Sequence, residues 1–328
     1  MKLFDLPEEL ISYIFTFIRR PQKLKKQIIN DFLNNMNTKQ KEDFWLGLNY
    51  NINAIDLLNN NKHKIDWLRI VTNTNAQDII EENSFHVRST LCCEYMARNT
   101  GLINFIEKNL DSMDWYYLCK NENAIKIINK NKDKIHFNAL ATNKNAIEIL
   151  ENNISKLNID ILIFNNNIFN STKLTELIYN NFDNIRPRYF IYNKNTNKSK
   201  KIMDKLKNLL HEDDYLLIEN PKLYFNSLKS IENIDLTFLF SYDQFIRNEN
   251  VIRLILDLFH FEEQNEIKSV DLFHFVPQNE NKKYLWQEIL MNPYTIENSK
   301  LYKLLLNNKE HIDYYFLGKN SNIFENAI

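Results

Sequence analysis

Asn121-Glu122-Asn123-Ala124-Ile125-Lys126-Ile127-Ile128 decides how this chain is built, because it returns 22 residues later as Asn143-Lys144-Asn145-Ala146-Ile147-Glu148-Ile149-Leu150. The same phrase stands earlier as Asn51-Ile52-Asn53-Ala54-Ile55-Asp56-Leu57-Leu58 and, 22 residues on, as Asn73-Thr74-Asn75-Ala76-Gln77-Asp78-Ile79-Ile80. A further copy starts at Asn99 after four extra residues. The second half of the unit recurs too: Ile65-Asp66-Trp67, Met113-Asp114-Trp115 and Ile135-His136-Phe137 each begin 14 residues after their starting Asn. A fixed short period of this kind marks a repeat array.

Further along, the pattern loosens. Ser171 opens a unit with Leu177, Ile178, Asn181 and Ile185 in register, and Asn220 opens one containing Ile234-Asp235-Leu236. Asn248 and Asn298 start closer matches, and Asn320 starts a last unit cut short at Ile328. The stretches around 193–215 and 258–290 are degenerate or carry insertions, and the array holds about ten units.

Within a unit, Ala124, Ile125 and Ile128 follow Asn121 at +3, +4 and +7, which is one face of an α-helix. Asn121 or Asn123 suits the N-cap. Asn131 suits the stop, because Asn tolerates the left-handed conformation almost as Gly does. The second half pairs a polar residue with Ile and an aromatic and reads as another short helix. Neither helix buries its face alone, so the units must stack. A leucine-rich repeat has an overlapping period but needs its Asn where Lys130 stands, and an ankyrin array has a 33-residue period. The expected fold is therefore all-α, an α-solenoid of short helix pairs over 46–328 behind an N-terminal segment, 1–45.

Composition excludes other classes. Among 328 residues there are 52 Asn but only three Gly (Gly47, Gly101 and Gly318), each isolated, so no Gly-rich phosphate loop or dinucleotide fingerprint exists. With 41 basic against 42 acidic residues, the electrostatic term for nucleic acid or a membrane surface is missing. Lys23, Lys25 and Lys26, and Lys198, Lys200 and Lys201, read as solvated local stretches. Cys92, Cys93 and Cys119 are an odd set without metal or disulfide spacing, which points to a reducing compartment. No leader pattern and no apolar run of about 18 residues occurs, so the expected location is intracellular.

The units resemble the Asn-rich N-x-N-A-I-x-L-L repeats of many proteins from giant DNA viruses related to mimivirus, over most of residues 49–328. That resemblance implies a helical repeat architecture and a host-cytoplasmic setting. The N-terminal stretch Leu6-Pro7-Glu8-Glu9-Leu10-Ile11-Ser12-Tyr13-Ile14-Phe15-Thr16-Phe17-Ile18 opens a helix at Pro7, with acids in its first turn and a stripe at Leu10, Ile14, Phe17 and Ile18. It resembles the first third of an F-box; Leu24, Ile28, Phe32 and Trp45 fit the remainder at poor spacing. The resemblance implies that Leu6, Pro7, Leu10, Ile14 and Phe17 contact the adaptor subunit of an SCF-type ubiquitin ligase, with the repeats holding the target. The same helix also reads as a plain cap for the end of an array.

No catalytic, cofactor or metal constellation is expected. The seven histidines lack zinc spacing, Cys92 and Cys93 read as small buried hydrophobes, and His211-Glu212-Asp213-Asp214 reads as a polar break between helices. Trp67, Trp115, Phe137 and Tyr314 share one repeat position and read as inter-unit core rather than a base-stacking stripe. The functional expectation is a non-enzymatic protein–protein interaction module, an F-box-like substrate receptor. The alternatives are a structural or scaffold protein of a large DNA virus and an RNA-binding solenoid.

Overall fold

The computed structural model describes residues 22–229, 245–258 and 280–326. They form an all-α, repeat-like fold with two three-residue strands. A regular unit is a short first helix, a 3-10 turn and a short second helix. In the Asn121 unit these are Ile125–Lys130, Lys132–Lys134 and Phe137–Leu140. The first helix buries Ala124, Ile127 and Ile128, while Ile125 is half-buried, so the inward face is turned one residue from the expected one. Burying each Ile stabilises the stack by roughly 1.5–3 kcal/mol. The helix pair expected from the period is present, with its turn now defined.

The Asn residues take a different part from the expected one. Asn121 does not cap the first helix: Ala124 stands at its N-cap position without a side-chain cap. Asn121 is buried, and its Nδ2 donates to Ala97 O and Asn99 O of the preceding unit, both at 2.9 Å. Its Oδ1 accepts from Asn123 N at 3.0 Å. Both amide hydrogens and the carbonyl oxygen are thereby used. The arrangement recurs at Asn73, Asn99, Asn143, Asn165 and Asn193, each donating to two carbonyls one unit back. This is a buried amide ladder running along the array. A second, outer rung comes from the next Asn but one: Asn123 Nδ2 donates to Thr100 O at 2.9 Å, and Asn75, Asn145 and Asn167 repeat it.

The expected left-handed stop at Asn131 is also corrected. Asn131 has φ −127°, and it ends the helix by donating Nδ2 to Ile127 O at 2.9 Å. Asn61, Asn83, Asn109, Asn153, Asn181 and Asn308 do the same four residues back. The second helix Trp115–Lys120 leaves through an extended residue, Asn121, with φ −75° and ψ 115°, while Trp67–Ile70 and Phe137–Leu140 end on Val71 and Ala141 in right-handed helical conformation. No residue with positive φ is needed at these junctions, which is why so few glycines suffice.

Unit boundaries shift where the period had loosened. Asn165, not Ser171, is the ladder residue. A short turn, Ile168–Asn170, is inserted before the first helix Thr172–Asn180, which Ser171 caps. The C-terminal unit repeats this plan: Pro293–Glu297 is inserted, Asn298 caps Ser299–Asn307, and Asn320 is the next ladder residue.

The unit that starts at Asn320 is met by residues 22–53. Asn51 Nδ2 donates to Gly318 O at 2.9 Å and Asn320 O at 2.8 Å, the bonds that every other ladder Asn makes to the unit before it. The outer rung crosses too, from Asn53 Nδ2 to Ser321 O at 3.0 Å. Strand β1 (Gln22–Leu24) pairs antiparallel with β2 (Phe324–Asn326), with Lys23 opposite Glu325. Helix Thr38–Leu48 packs on Tyr314–Lys319 as a second helix packs on its neighbour. Two of the three glycines sit at that crossing: a Cβ on Gly47 would lie 2.1 Å from Tyr315 O, and one on Gly318 2.6 Å from Phe44 O.

Elsewhere the order of contact follows the chain: Pro187–Tyr192 on Glu212–Glu219, that helix on Pro221–Ser227, then Glu249–Leu258 and Ser299–Asn307. The described elements therefore form a closed circuit, in which residues 22–48 supply the second half of the unit begun at Asn320.

Candidate interaction surface

Two sides of the array differ in how neighbouring units approach. Second helices touch directly, Trp67–Ile70 on Thr90–Arg98, that helix on Trp115–Lys120, and that on Phe137–Leu140. Small residues allow it: Cys93, Ala97, Cys119, Ala139 and Ala141 are buried along this side. First helices are instead bridged by long side chains, through the ion pairs Lys62–Glu82 (3.2 Å), Lys108–Glu81 (3.5 Å) and Lys130–Glu107 (3.2 Å). Tight spacing on one side and wide spacing on the other curve the stack, and the second helices line its inner side.

The inner side carries rings and cations. The residues just before the ladder Asn form one row: Lys319, Tyr50, Thr72, Arg98, Lys120, Thr142, Phe164 and Tyr192. One helical turn back lie Tyr315, Leu68, Tyr116 and Tyr189. Leu68, Tyr95, Tyr116, Phe164 and Tyr192 are exposed large side chains, and Phe164 contacts the rings of Tyr189 and Tyr192 at 5.6 and 6.1 Å. A lone exposed ring is ordinary, but a row of them aligned by the repeat is a candidate binding surface.

At the closing joint, Tyr50 and Tyr315 stand edge to face, 6.1 Å apart, with Lys319 Nζ 4.4 Å from both ring centres. Burial, then the hydrogen bond with Tyr315, pushes the Tyr50 phenol up to about 12. Burial acts the same way on Tyr315, but hydrogen bonds with Lys319 and Tyr50 and the charges of Lys319 and Arg69 outweigh it and draw that phenol below its usual value.

The ladder is a structural device, not a ligand-binding one, since its amides are spent on backbone carbonyls inside the stack. Trp67 and Trp115 are half-buried against the core and Tyr314 is buried, so this aromatic position does serve packing. His86 stacks on Trp67 at 4.6 Å, and Lys134 and Lys156 cover Trp115 and Phe137. His211 starts the helix Glu212–Glu219 by accepting from Asp213 N, as a polar break should. Cys92, Cys93 and Cys119 are buried thiols, and burial pushes Cys93 and Cys119 up. Among the described residues no group of three or more His, Cys, Asp or Glu could hold a metal ion, and no helix is long and apolar enough to cross a membrane. Leu6, Pro7, Leu10, Ile14 and Phe17 lie outside the described residues. The ring-and-cation row does not belong to the apolar pattern that defines each unit, so the repeat phrase alone does not reveal it. Its signal in the sequence is the residue preceding each ladder Asn.

No family model matches the chain, and neither the curated proteins nor the solved structures contain a significant match to it.

Proposed function

We propose that this chain is a non-enzymatic binding protein that holds a protein partner along the inner, second-helix face of its closed array. The observation that carries this reading is the row of rings and cations running from the half-buried Lys319 and Tyr50, past the exposed Arg98, to the exposed Phe164 and Tyr192. Aromatic and Arg side chains are the usual anchors of protein interfaces. The F-box resemblance of Leu6–Ile18 adds a second role, recruitment of an SCF-type adaptor through Leu6, Pro7, Leu10, Ile14 and Phe17. Three free, buried cysteines suit a reducing compartment, and we assign the protein to the host cytoplasm.

Two measurements test the two roles separately. Capture of partners from expressing cells, read by mass spectrometry, is expected to lose its main protein when Tyr116→Ala and Phe164→Ala are combined; unchanged recovery contradicts the surface assignment. The purified adaptor is expected to bind the chain, and Leu10→Glu with Ile14→Glu to abolish binding without loss of helicity. Absence of adaptor binding at micromolar concentration removes the ligase role and leaves the inner-face role standing.

A further inference from the structure

Four rings of the inner face are already covered on one side by cations. The Arg98 guanidinium lies 3.7 Å above the Tyr117 ring, Lys120 Nζ lies 4.6 Å above Tyr116, and Lys319 Nζ lies between Tyr50 and Tyr315. Among the described residues no carboxylate pairs with any of these three cations. The outer side is the opposite case, with Lys62, Lys108 and Lys130 each neutralised by a Glu of the neighbouring unit. On the second-helix side Arg69 pairs with Asp66, whereas Arg98, Lys120 and Lys319 have rings in place of carboxylates.

A cation held over a ring is localised by the ring quadrupole. It also takes the face on which a nucleobase would stack. What these sites present outward is positive charge framed by ring edges, which matches carboxylates better than bases. The near-zero net charge of the chain likewise withholds the counterion-release term that nucleic-acid binding draws on. Spacing adds a constraint. Packed helices lie about 8–10 Å apart, and an extended peptide advances about 3.3 Å per residue, so successive units meet every third residue of a strand laid across them.

Resting on the protein-binding reading above, we propose that the occupant of the inner face is an extended acidic peptide segment. Its carboxylates, about three residues apart, reach Arg98 and Lys120 and, further along the row, Lys319. Apolar side chains between them meet Leu68 and Tyr95.

The test is selection of displayed random 12-residue peptides on the purified full chain, followed by binding measurements. Enriched sequences are expected to carry Asp or Glu at three-residue intervals. A selected peptide is expected to bind at least tenfold more weakly to the Arg98→Gln, Lys120→Gln double variant, whose circular dichroism and melting stay as in the parent. Replacing the peptide's Glu by Gln should weaken binding by a similar factor. Enrichment of non-acidic sequences, or equal affinity for the double variant, overturns the proposal while leaving the protein-binding reading in place. No enrichment above background, or tighter binding of a labelled single-stranded uridine oligonucleotide than of every selected peptide, overturns both.

Discussion

Asn121 and Asn248 open two copies of the same phrase and do different work. Asn121 lies in the regular stretch from Asn51 to Asn193, buried, donating twice to the preceding unit. Asn248 lies in the looser stretch that follows. Its Oδ1 still accepts from Asn250 N, but its amide donates to one side chain, Asn226 Oδ1, at 2.8 Å. Asn220 has gone further, standing exposed and capping a helix through Leu223 N. Packing there is carried by rings such as Phe225 and Phe245, 5.4 Å apart. A ladder rung forms only where the spacing brings two backbone carbonyls within reach of one amide. Where the spacing differs, Asn248 falls back to a local cap and the double donation passes to Asn250, whose Nδ2 donates to Phe225 O and Leu228 O, both at 2.9 Å.

Substitutions can break this contrast in order of size. Asn121→Ala removes three bonds, leaving Ala97 O inside the stack without its donor, Asn99 O with Leu102 N alone and Asn123 N to solvent. At about 1–3 kcal/mol for the buried carbonyl left unpaired and about 1 kcal/mol for each of the other two bonds, a loss of about 3–5 kcal/mol is expected in denaturant unfolding. Asn248→Ala should lose only about 1 kcal/mol, the worth of a cap; equal losses would erase the distinction. Gly318→Ala at the closing joint forces a Cβ to within 2.6 Å of Phe44 O, and about 1–3 kcal/mol of overpacking should lower the melting temperature. Asn131→Ala deprives one half-exposed helix end of its donor, and about 1 kcal/mol is expected. Lys130→Ala, which breaks only an exposed ion pair on the outer side, should change stability by less than about 1 kcal/mol.

The closing joint also carries a pH signature. Tyr302 donates to Asp31 Oδ2 at 2.6 Å and Tyr314 to Phe32 O at 3.1 Å, tying the C-terminal unit to the first residues of the array. Burial, and for Tyr302 also the Asp31 carboxylate, raises both phenols. A raised phenol contributes stability that is full below the unfolded value of about 10 and is lost as pH rises through the folded value. Tyr315 works in the other sense, but three raised phenols at this joint, Tyr50 included, outnumber it. Melting temperature is therefore expected to fall above pH of about 10, and to fall less steeply in Tyr302→Phe; an identical slope in the variant would remove Tyr302 from the explanation.

Much of the building plan is legible in the residues. The 22-residue period implies the helix pair, and the +3 and +7 spacing alone assigns Ala124 and Ile128 to the core, where both are buried. The ladder is not legible in the same way, because an Asn at a helix junction reads equally well as a cap. One clue separates them. A cap tolerates Ser, Thr or Asp, whereas donating twice while accepting once requires an amide. The ladder place is Asn at 51, 73, 99, 121, 143, 165, 193 and 320, while its neighbour two residues on changes to Gly101. There a side chain would collide with Thr74 O, 1.8 Å from the Cβ position. Closure is hidden for a different reason. One half of the unit lies at 320–326 and the other at 22–48, and only the half beginning at Asn320 carries the repeat's phrase. Residues 22–48 match it by contact and not by sequence. The adaptor-contacting residues proposed near the N-terminus rest on motif alone.

The closing of the array is tested most directly by a cross-link between its two ends. Lys23 and Glu325 face each other across β1 and β2, with Nζ and Oε1 3.9 Å apart, and the three native cysteines are buried. Cross-strand Cβ atoms at such a pair lie about 4.5–5.5 Å apart, within adjustment distance of a disulfide. In the Lys23→Cys, Glu325→Cys variant, mild oxidation of dilute protein should give a monomer with one internal disulfide joining residues 23 and 325. Its melting temperature should be at or above the parent's. Thiols that stay free, or that pair only between molecules, would contradict the closed circuit.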